Sequence, residues 1–147
     1  MAVDGGLRGL FQKHLMSSGC HFQAIETGST GRGIPDLNGC LNGTEFWIEF
    51  KKTNANAVNL SPEQVAWILR RRRARGNVYI GIRRKKSKTL RREACDELWL
   101  IHGDSAAELK SEGLKSPKIH VLGTWYGGPS KWDWEEILTQ LIYKDSK

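Results

Sequence analysis

Two carboxylates and one lysine between positions 36 and 51 have the types and the spacing of a site for a divalent cation, in which the carboxylates would bind the ion. The stretch FWIEFKK, residues 46–52, alternates as a β-strand does, so Glu49 and Lys51 are expected on one face. Asp36 ends the sequence GIPD, and the dipeptide Asn42-Gly43 that follows it is a strong β-hairpin signal. If the strands on either side of this turn pair, Asp36 lies on the same face as Glu49.

The chemistry of such a site follows from its charges. Two neighbouring carboxylates repel each other in a low-dielectric environment, and a divalent cation between them removes that repulsion. Oxygen ligands of this kind suit Mg²⁺. A cation held by Asp36 and Glu49 would polarise a phosphoryl oxygen and lower the pKa of a bound water, with Lys51 beside the developing charge. The ordinary alternatives are a turn residue at Asp36 and a solvent-facing pair on an edge strand at Glu49 and Lys51.

The distribution of charge predicts a polyanionic partner. The chain has 147 residues and a net charge of +7, and 12 of its 23 basic residues lie within residues 70–92, which contain no Asp or Glu. A cationic segment without acids is typical of a phosphate-contacting surface, although a solvated basic face is the alternative. The residues predicted here to contact the phosphates of such a partner are Arg70, Arg71, Arg73, Arg83, Arg84, Lys85 and Lys86.

Other classes of site find no support in the sequence. The three cysteines form no CxxC pair, which argues against a disulfide framework and a zinc site. The histidines show no metal-binding spacing. Neither a signal peptide nor an apolar run of transmembrane length is recognisable, so we expect a cytoplasmic protein without a membrane partner.

Local patterns predict alternating strands and helices. Ser61 as N-cap, Pro62 at the first helical position and Gln64 three residues after the cap mark a helix start. Gly76 is expected to close that helix, residues 85–92 to form a mobile basic loop, and Asp104 to cap a later helix. The predicted helices are 7–16, 61–75, 104–112 and 133–142, and the predicted strands are 21–26, 34–41, 44–52, 78–82, 97–102 and 119–122.

This order predicts an α/β fold with a mixed central sheet flanked by helices, since strands occur on both sides of a crossover helix. We assign residues 1–95 to the core and residues 96–147 to a C-terminal α/β extension packed on it, within one compact domain. Trp67, Trp125, Trp132 and Trp134 could stack on unpaired bases, but packing within the protein is the favoured role.

The ordered set of motifs resembles the PD-(D/E)xK nuclease superfamily. Its signature matches PD at Pro35 and Asp36, followed after twelve residues by EFK, residues 49–51. The wider pattern GIPDLNG, FWIEFKK, LSPEQVAWI and GNVYIGIRR, over roughly residues 31–83, is similar to the VRR-NUC branch, which is related to Holliday-junction resolvases.

The resemblance implies a restriction-endonuclease-like core in which Asp36, Glu49 and the Phe50 carbonyl bind the metal and Lys51 assists. It also implies a site role for Gln64, for which capping-box duty is an equal alternative. Such families often add an acid from the first helix, for which Asp4 and Glu26 are the candidates.

The glycine-rich loop TGSTGRG, residues 27–33, is most simply a flexible turn, although its backbone could cradle a phosphate. In a nuclease its glycines would let DNA approach the metal. Arg32 within it and Lys52 after the signature are further candidates for DNA contact.

The predicted function is therefore Mg²⁺-dependent hydrolysis of DNA phosphodiester bonds, with Mn²⁺ as a substitute cation. The resemblance favours a branched substrate such as a Holliday junction or a flap, a homodimer, a role in DNA recombination or repair, and a phage origin with activity in the host cytoplasm. The alternatives are a catalytically inactive or partner-dependent DNA-binding protein on a nuclease fold, and a nuclease of RNA.

Overall fold

The structure is a computed structural model that describes residues 4–26 and 32–143. Within these residues the chain forms one six-stranded sheet in which the strand order equals the chain order. The strands are β1 (His21–Ala24), β2 (Leu37–Leu41), β3 (Thr44–Thr53), β4 (Val78–Lys86), β5 (Cys95–His102) and β6 (Val121–Trp125). The helices are α1 (Leu7–Ser17), α2 (Pro62–Arg73), α3 (Ala106–Glu112) and α4 (Trp134–Ile142).

The sheet is mixed, as predicted. Strands β3 and β4 are parallel, and the other neighbouring pairs are antiparallel. Parallel strands need a crossover connection, which α2 supplies. The predicted α/β class with a mixed sheet flanked by helices is confirmed.

Two buried clusters cover the two faces of the sheet. The first joins α1 and α4 to one face through residues such as Phe11, Phe50 and Leu141. The second joins α2 and α3 to the opposite face through residues such as Ile68 and Ile80. Alternation along β3 therefore sends Phe50 towards α1, and Glu49, its neighbour, towards α2.

Two local signals form as the sequence predicts. Asn42 and Gly43 both have positive φ, 52° and 80°, as a two-residue hairpin turn of the favoured handedness requires. At the start of α2, Ser61 Oγ accepts from the Gln64 amide at 3.1 Å, and Gln64 Oε1 accepts from the Ser61 amide at 2.9 Å. This reciprocal pair is a complete capping box.

The predicted end of the second helix is wrong by two residues. Helix α2 ends at Arg73, and the left-handed residue after it is Arg75, with φ 70°, instead of Gly76. The Gly76 amide donates to the Arg71 carbonyl at 2.9 Å. A Cβ at position 76 would lie 2.6 Å from Arg71 Cδ, so a larger residue there would displace the Arg71 side chain.

The predicted loop at residues 85–92 starts two residues later than expected, because Lys85 and Lys86 belong to β4. Strand β4 continues through Lys86, which pairs with Cys95, and a further bridge joins Thr89 to Arg92. Two lysines can continue the strand because long cationic side chains extend into water.

The region after β5 differs from the prediction in two places. A 3₁₀ turn, Gly103–Ser105, precedes α3, and the imidazole of His102 accepts from the Asp104 amide at 3.1 Å. Asp104 is therefore not the cap, and its carboxylate instead accepts from Arg72 Nε at 2.8 Å. Strand β6 starts two residues later than predicted, at Val121.

The C-terminal segment is built into the same sheet and core. Trp125 and Trp132 are buried, and Trp134 packs against the cluster around α1, so packing accounts for these rings. The division at residues 95 and 96 stays a prediction. No helix in the described part of the chain is long and apolar enough to cross a membrane.

Candidate active site

Asp36 and Glu49 come together because of the register between β2 and β3. Leu37 pairs with Ile48, and one step further along the same register Asp36 stands opposite Glu49. The Phe50 amide donates to Asp36 Oδ2 at 2.8 Å, and the Asp36 carbonyl accepts from the Ile25 amide at the same distance. Asp36 is thus held beside β3 by two hydrogen bonds, one from Phe50 within β3 and one from Ile25 just after β1.

The carboxylate of Glu49 is almost fully buried, with 2% of the residue exposed. Its Oε2 accepts from Gln64 Nε2 at 3.0 Å and lies 3.7 Å from Lys51 Nζ. Its Oε1 is buried and has no hydrogen-bond partner among the described residues. A buried carboxylate oxygen without a donor is costly, which makes this atom the natural position for an external ligand.

Burial raises the pKa of both acids, and at Glu49 the charge of Asp36 adds to this effect. Burial, followed by the charge of Asp36, raises the pKa of Glu49 to about 8, although Lys51 acts in the opposite direction. Burial also raises the pKa of Asp36, against the lowering effect of the Phe50 amide. Without a cation the pair therefore favours sharing a proton over carrying two charges.

Gln64 makes the capping-box contact and also contacts Glu49 of the predicted site. Its Oε1 completes the capping box with Ser61, and its Nε2 donates to Glu49. The amide has separate donor and acceptor atoms, so one side chain can serve both partners. The capping box thus fixes the side chain that orients the Glu49 carboxylate.

The two candidates for an additional acid differ in their surroundings. Asp4 accepts from the Gly6 and Arg8 amides at 2.9 and 3.0 Å, and its charge contributes to the raised pKa of Asp36. Glu26 is exposed just after β1. Among the described residues, no three His, Cys, Asp or Glu side chains are close enough to form a metal-binding group. The choice between Asp4 and Glu26 stays open.

The loop before Asp36 lies against the start of α2. Residues 27–31 of the glycine-rich loop are outside the described part of the chain, whereas Arg32 and Gly33 are within it. Gly33 has φ 82°, and a Cβ there would lie 2.3 Å from the Glu63 carbonyl oxygen. Nothing in the local sequence signals this contact, because it depends on a helix thirty positions away.

The residues predicted to contact DNA fall into two groups. Arg83 and Arg84 are engaged within the protein. Arg83 donates through Nε and Nη2 to Asp96 and through Nη1 to the Gly5 carbonyl, and Arg84 bonds to Glu97 and to a backbone carbonyl. The other group, which is exposed or half-buried, comprises Arg32, Lys52, Arg70, Arg71, Arg73, Lys85 and Lys86.

One basic feature was not anticipated from the sequence. The guanidinium of Arg71 lies over two indole rings, 5.2 Å from the centre of Trp47 and 4.7 Å from that of Trp67. Stacking of this kind holds an arginine in place without neutralising it. The spacing of Trp67 and Arg71, four residues apart on α2, was a usable signal.

A comparison with protein families gives an independent result. The model of the archaeal Holliday junction resolvase family, Hjc, matches residues 12–105, which include Asp36, Glu49, Lys51 and Gln64. The chain belongs to this family. Membership confirms the predicted resemblance to resolvases within the PD-(D/E)xK nucleases and the nuclease-type fold. The family implies a nuclease that acts on DNA, and it does not support the alternative of an inactive DNA-binding protein.

Among solved structures, the chain is similar to the Holliday junction resolvase Hjc of the archaeal hyperthermophile Archaeoglobus fulgidus. The identity is 15%, the match covers 86% of this chain and 88% of that one, and the TM-score is 0.43. No curated protein matches the chain. The VRR-NUC assignment and the phage origin stay predictions.

Proposed function

We propose that this member of the resolvase family is a Mg²⁺-dependent endonuclease that cuts branched DNA, with the Holliday junction as the favoured substrate. The observation that carries the proposal is the Asp36–Glu49 pair, in which Glu49 Oε1 is buried without a hydrogen-bond partner among the described residues. An isolated carboxylate so placed weakens a fold. A cation between the two acids would remove that cost.

The residues present fit a magnesium site. Mg²⁺ is usually bound through one or two carboxylates, with water and substrate phosphate completing its shell. Asp36 and Glu49 would supply the carboxylates, and the Phe50 carbonyl is the proposed third protein ligand. When bound, the cation polarises a phosphoryl oxygen and lowers the pKa of a water.

The protein side chains then act around the scissile phosphate. Lys51, whose ammonium lies 3.7 Å from Glu49 Oε2, would donate a hydrogen bond to the attacking water or to the phosphoryl oxygens on which negative charge develops. Gln64 orients Glu49 through its 3.0 Å hydrogen bond. The attacking water would lose one proton as its oxygen bonds to phosphorus, one ester P–O bond would break, and the departing oxygen would take up a proton, so that one water is added in total.

Affinity for the DNA would come from the exposed cations. Arg70, Arg71 and Arg73 at the end of α2 and Lys85 and Lys86 at the end of β4 are the proposed phosphate contacts, and these contacts are independent of sequence. A four-way junction is resolved by cutting two strands, so we propose a homodimer that presents two sites.

The test compares Glu49→Gln with wild type and with Glu45→Gln as a matched control. Glu45 is an exposed carboxylate at the start of the same strand. Labelled four-way junction, flap, single strand, linear duplex and duplex RNA are incubated with Mg²⁺, Mn²⁺ or EDTA. We expect wild type and Glu45→Gln to cut the junction only with metal, and Glu49→Gln to bind it without cutting.

Three outcomes would contradict the proposal. Cleavage by Glu49→Gln at the wild-type rate would show that Glu49 is not part of the active site. Junction binding by wild type without cleavage in either metal would leave a DNA-binding protein on a nuclease scaffold. Cleavage of duplex RNA in preference to DNA would change the substrate class.

A further inference from the structure

The turn that connects β4 to β5 forms the end of the basic segment, residues 70–92. Strand pairing ends at Lys86 and Cys95, and the intervening residues 87–94, called here the hairpin arm, are all exposed. The arm is nevertheless organised. The Thr89 amide donates to the Arg92 carbonyl at 3.0 Å, and the Arg91 amide donates to Thr89 Oγ1 at 3.2 Å.

Leu90 lies at the tip of this arm and is fully exposed, at 107% of its reference area. The other exposed large hydrophobic residues among those described are 62–70% exposed. Scattered apolar residues on a surface are normal. Leu90 differs because an ordered turn presents it and because its neighbours are cationic.

The charged residues around Leu90 indicate what kind of partner it contacts. Lys88, Arg91 and Arg92 belong to the arm and Lys85 and Lys86 to its base, whereas Glu93 is the acidic residue of the arm. An apolar side chain among cations fits a ligand with a charged exterior and an apolar interior. DNA has this character, since phosphates surround stacked bases.

The arm projects from the same end of the sheet as the catalytic residues. In the parallel pair, Ile82 of β4 stands beside Lys51 of β3, and the chain continues in the same direction to Leu90. Eight extended residues reach at most about 26 Å. This distance corresponds to about eight base pairs of duplex DNA. One bound duplex can therefore contact both Lys51 and the arm.

We propose that Leu90 is a wedge that inserts between bases at the branch point of the DNA while Lys88, Arg91 and Arg92 hold the flanking phosphates. This inference rests on the proposed function, because it names the DNA feature that the enzyme selects. Proteins that kink DNA insert leucine and other apolar side chains between base steps. Unstacking costs least where the stack is already interrupted, so the wedge favours a branch over a linear duplex.

The experiment uses a four-way junction with 2-aminopurine at the branch and a linear duplex with the same probe. The proteins are wild type, Leu90→Ser, Leu90→Met, which keeps an apolar tip, and Met16→Ser, which changes an exposed apolar residue elsewhere. Probe fluorescence and affinity are measured in EDTA over a range of salt concentrations, and cleavage is measured separately in Mg²⁺ and Mn²⁺.

Wild type, Leu90→Met and Met16→Ser are expected to increase the probe fluorescence at the branch. Leu90→Ser should lose most of this increase and roughly tenfold of the preference for junction over duplex, with unchanged duplex affinity and salt dependence. Its melting temperature should equal that of wild type, because Leu90 is fully exposed.

An unchanged fluorescence increase and preference in Leu90→Ser would overturn the proposal. A change in sedimentation behaviour without a change at the branch would assign Leu90 to self-association and would overturn it equally. If wild type cuts nothing in either metal while Leu90→Ser still loses the unstacking signal, the catalytic proposal fails and the wedge stands.

Discussion

At the residue scale, the Glu49 carboxylate lies where its charged form is disfavoured. It is buried, it faces Asp36, and one of its oxygens has no hydrogen-bond donor among the described residues. Lys51 at 3.7 Å and the Gln64 amide at 3.0 Å offset part of this cost. Buried charged groups with incomplete hydrogen bonding are typical of functional sites. They lower the stability of the free protein, and a bound ligand can offset this cost.

The raised pKa of Glu49 predicts how the stability of the metal-free protein depends on pH. Its ordinary value is 4.5 and its value in the fold is about 8, so between these values the folded protein binds more protons than the unfolded chain. The free energy of unfolding should therefore fall as pH rises from about 5 to 8. Urea unfolding in EDTA at several pH values measures this slope.

Glu49→Gln should flatten that slope and raise the stability at pH 8, because the amide cannot ionise. Added Mg²⁺ should stabilise wild type most at high pH, since binding requires the deprotonated pair. Glu45→Gln serves again as the control. If the free energy of unfolding falls as steeply with pH in Glu49→Gln as in wild type, a group other than Glu49 causes the pH dependence.

Substitutions at Ser61 and Gln64 can separate the role of Gln64 in capping the helix from its proposed role in the active site. Ser61→Ala removes the hydroxyl of the capping box but leaves the donor to Glu49, whereas Gln64→Ala removes both contacts. We expect each variant to lose about 1 kcal/mol of stability. Single-turnover cleavage should slow about tenfold or more in Gln64→Ala and stay within about twofold of wild type in Ser61→Ala. Equal cleavage rates in the two variants would show that Gln64 acts only as part of the helix cap.

At the element scale, α2 connects the proposed metal site to the basic surface. Its first turn supplies Gln64, its buried face supplies Ile68, and its last turn supplies four arginines. Because successive residues point in different directions around a helix, these arginines have different environments. Arg71 stacks on Trp47 and Trp67, and Arg72 pairs with Asp104.

This difference predicts unequal effects of two neighbouring substitutions. Arg71→Gln should weaken junction binding and reduce the slope of log affinity against log salt by about 1, as the loss of one phosphate contact does. Arg72→Gln should leave that slope unchanged and cost at most about 1 kcal/mol of stability, because its partner Asp104 is 59% exposed. Fluorescence anisotropy between low and moderate salt measures both slopes. Equal slopes in the two variants would contradict a phosphate contact at Arg71.

At the scale of the whole molecule, Arg83 joins distant parts of the chain. Its guanidinium bonds to Asp96 of β5 and to the Gly5 carbonyl before α1, and it lies 5.6 Å from the centre of the Trp132 ring. The Asp96 contact is bidentate, with distances of 2.9 and 2.7 Å. Bidentate pairs away from solvent are among the stronger polar contacts.

Arg83→Gln should therefore lower stability by roughly 2 kcal/mol, which corresponds to about 4–8 °C in melting temperature for a chain of this size. Lys85→Gln, on the same strand and exposed, should leave the melting temperature unchanged. Calorimetry measures both. A weakened DNA affinity in Arg83→Gln with an unchanged melting temperature would instead support the predicted DNA contact.

Much of the fold and of the site could be predicted because the signals are local. The Asn42-Gly43 turn, the Ser61 cap and the alternation along β3 each depend on a few adjacent residues. The predictions failed where a distant partner decides the conformation. Asp104 is not a cap because Arg72, on another helix, takes its carboxylate.

The sequence by itself determined the ordered set Asp36, Glu49, Lys51 and Gln64, the hairpin that brings the first two together, and the cationic segment at residues 70–92. Only the tertiary structure decided that Glu49 Oε1 lacks a partner among the described residues, that Arg83 is bound within the protein, and that Leu90 stands exposed on an ordered turn. The physical reason is that residue type and spacing determine short-range geometry, whereas burial, pKa and hydrogen-bond partners depend on what packs against each side chain from elsewhere in the chain.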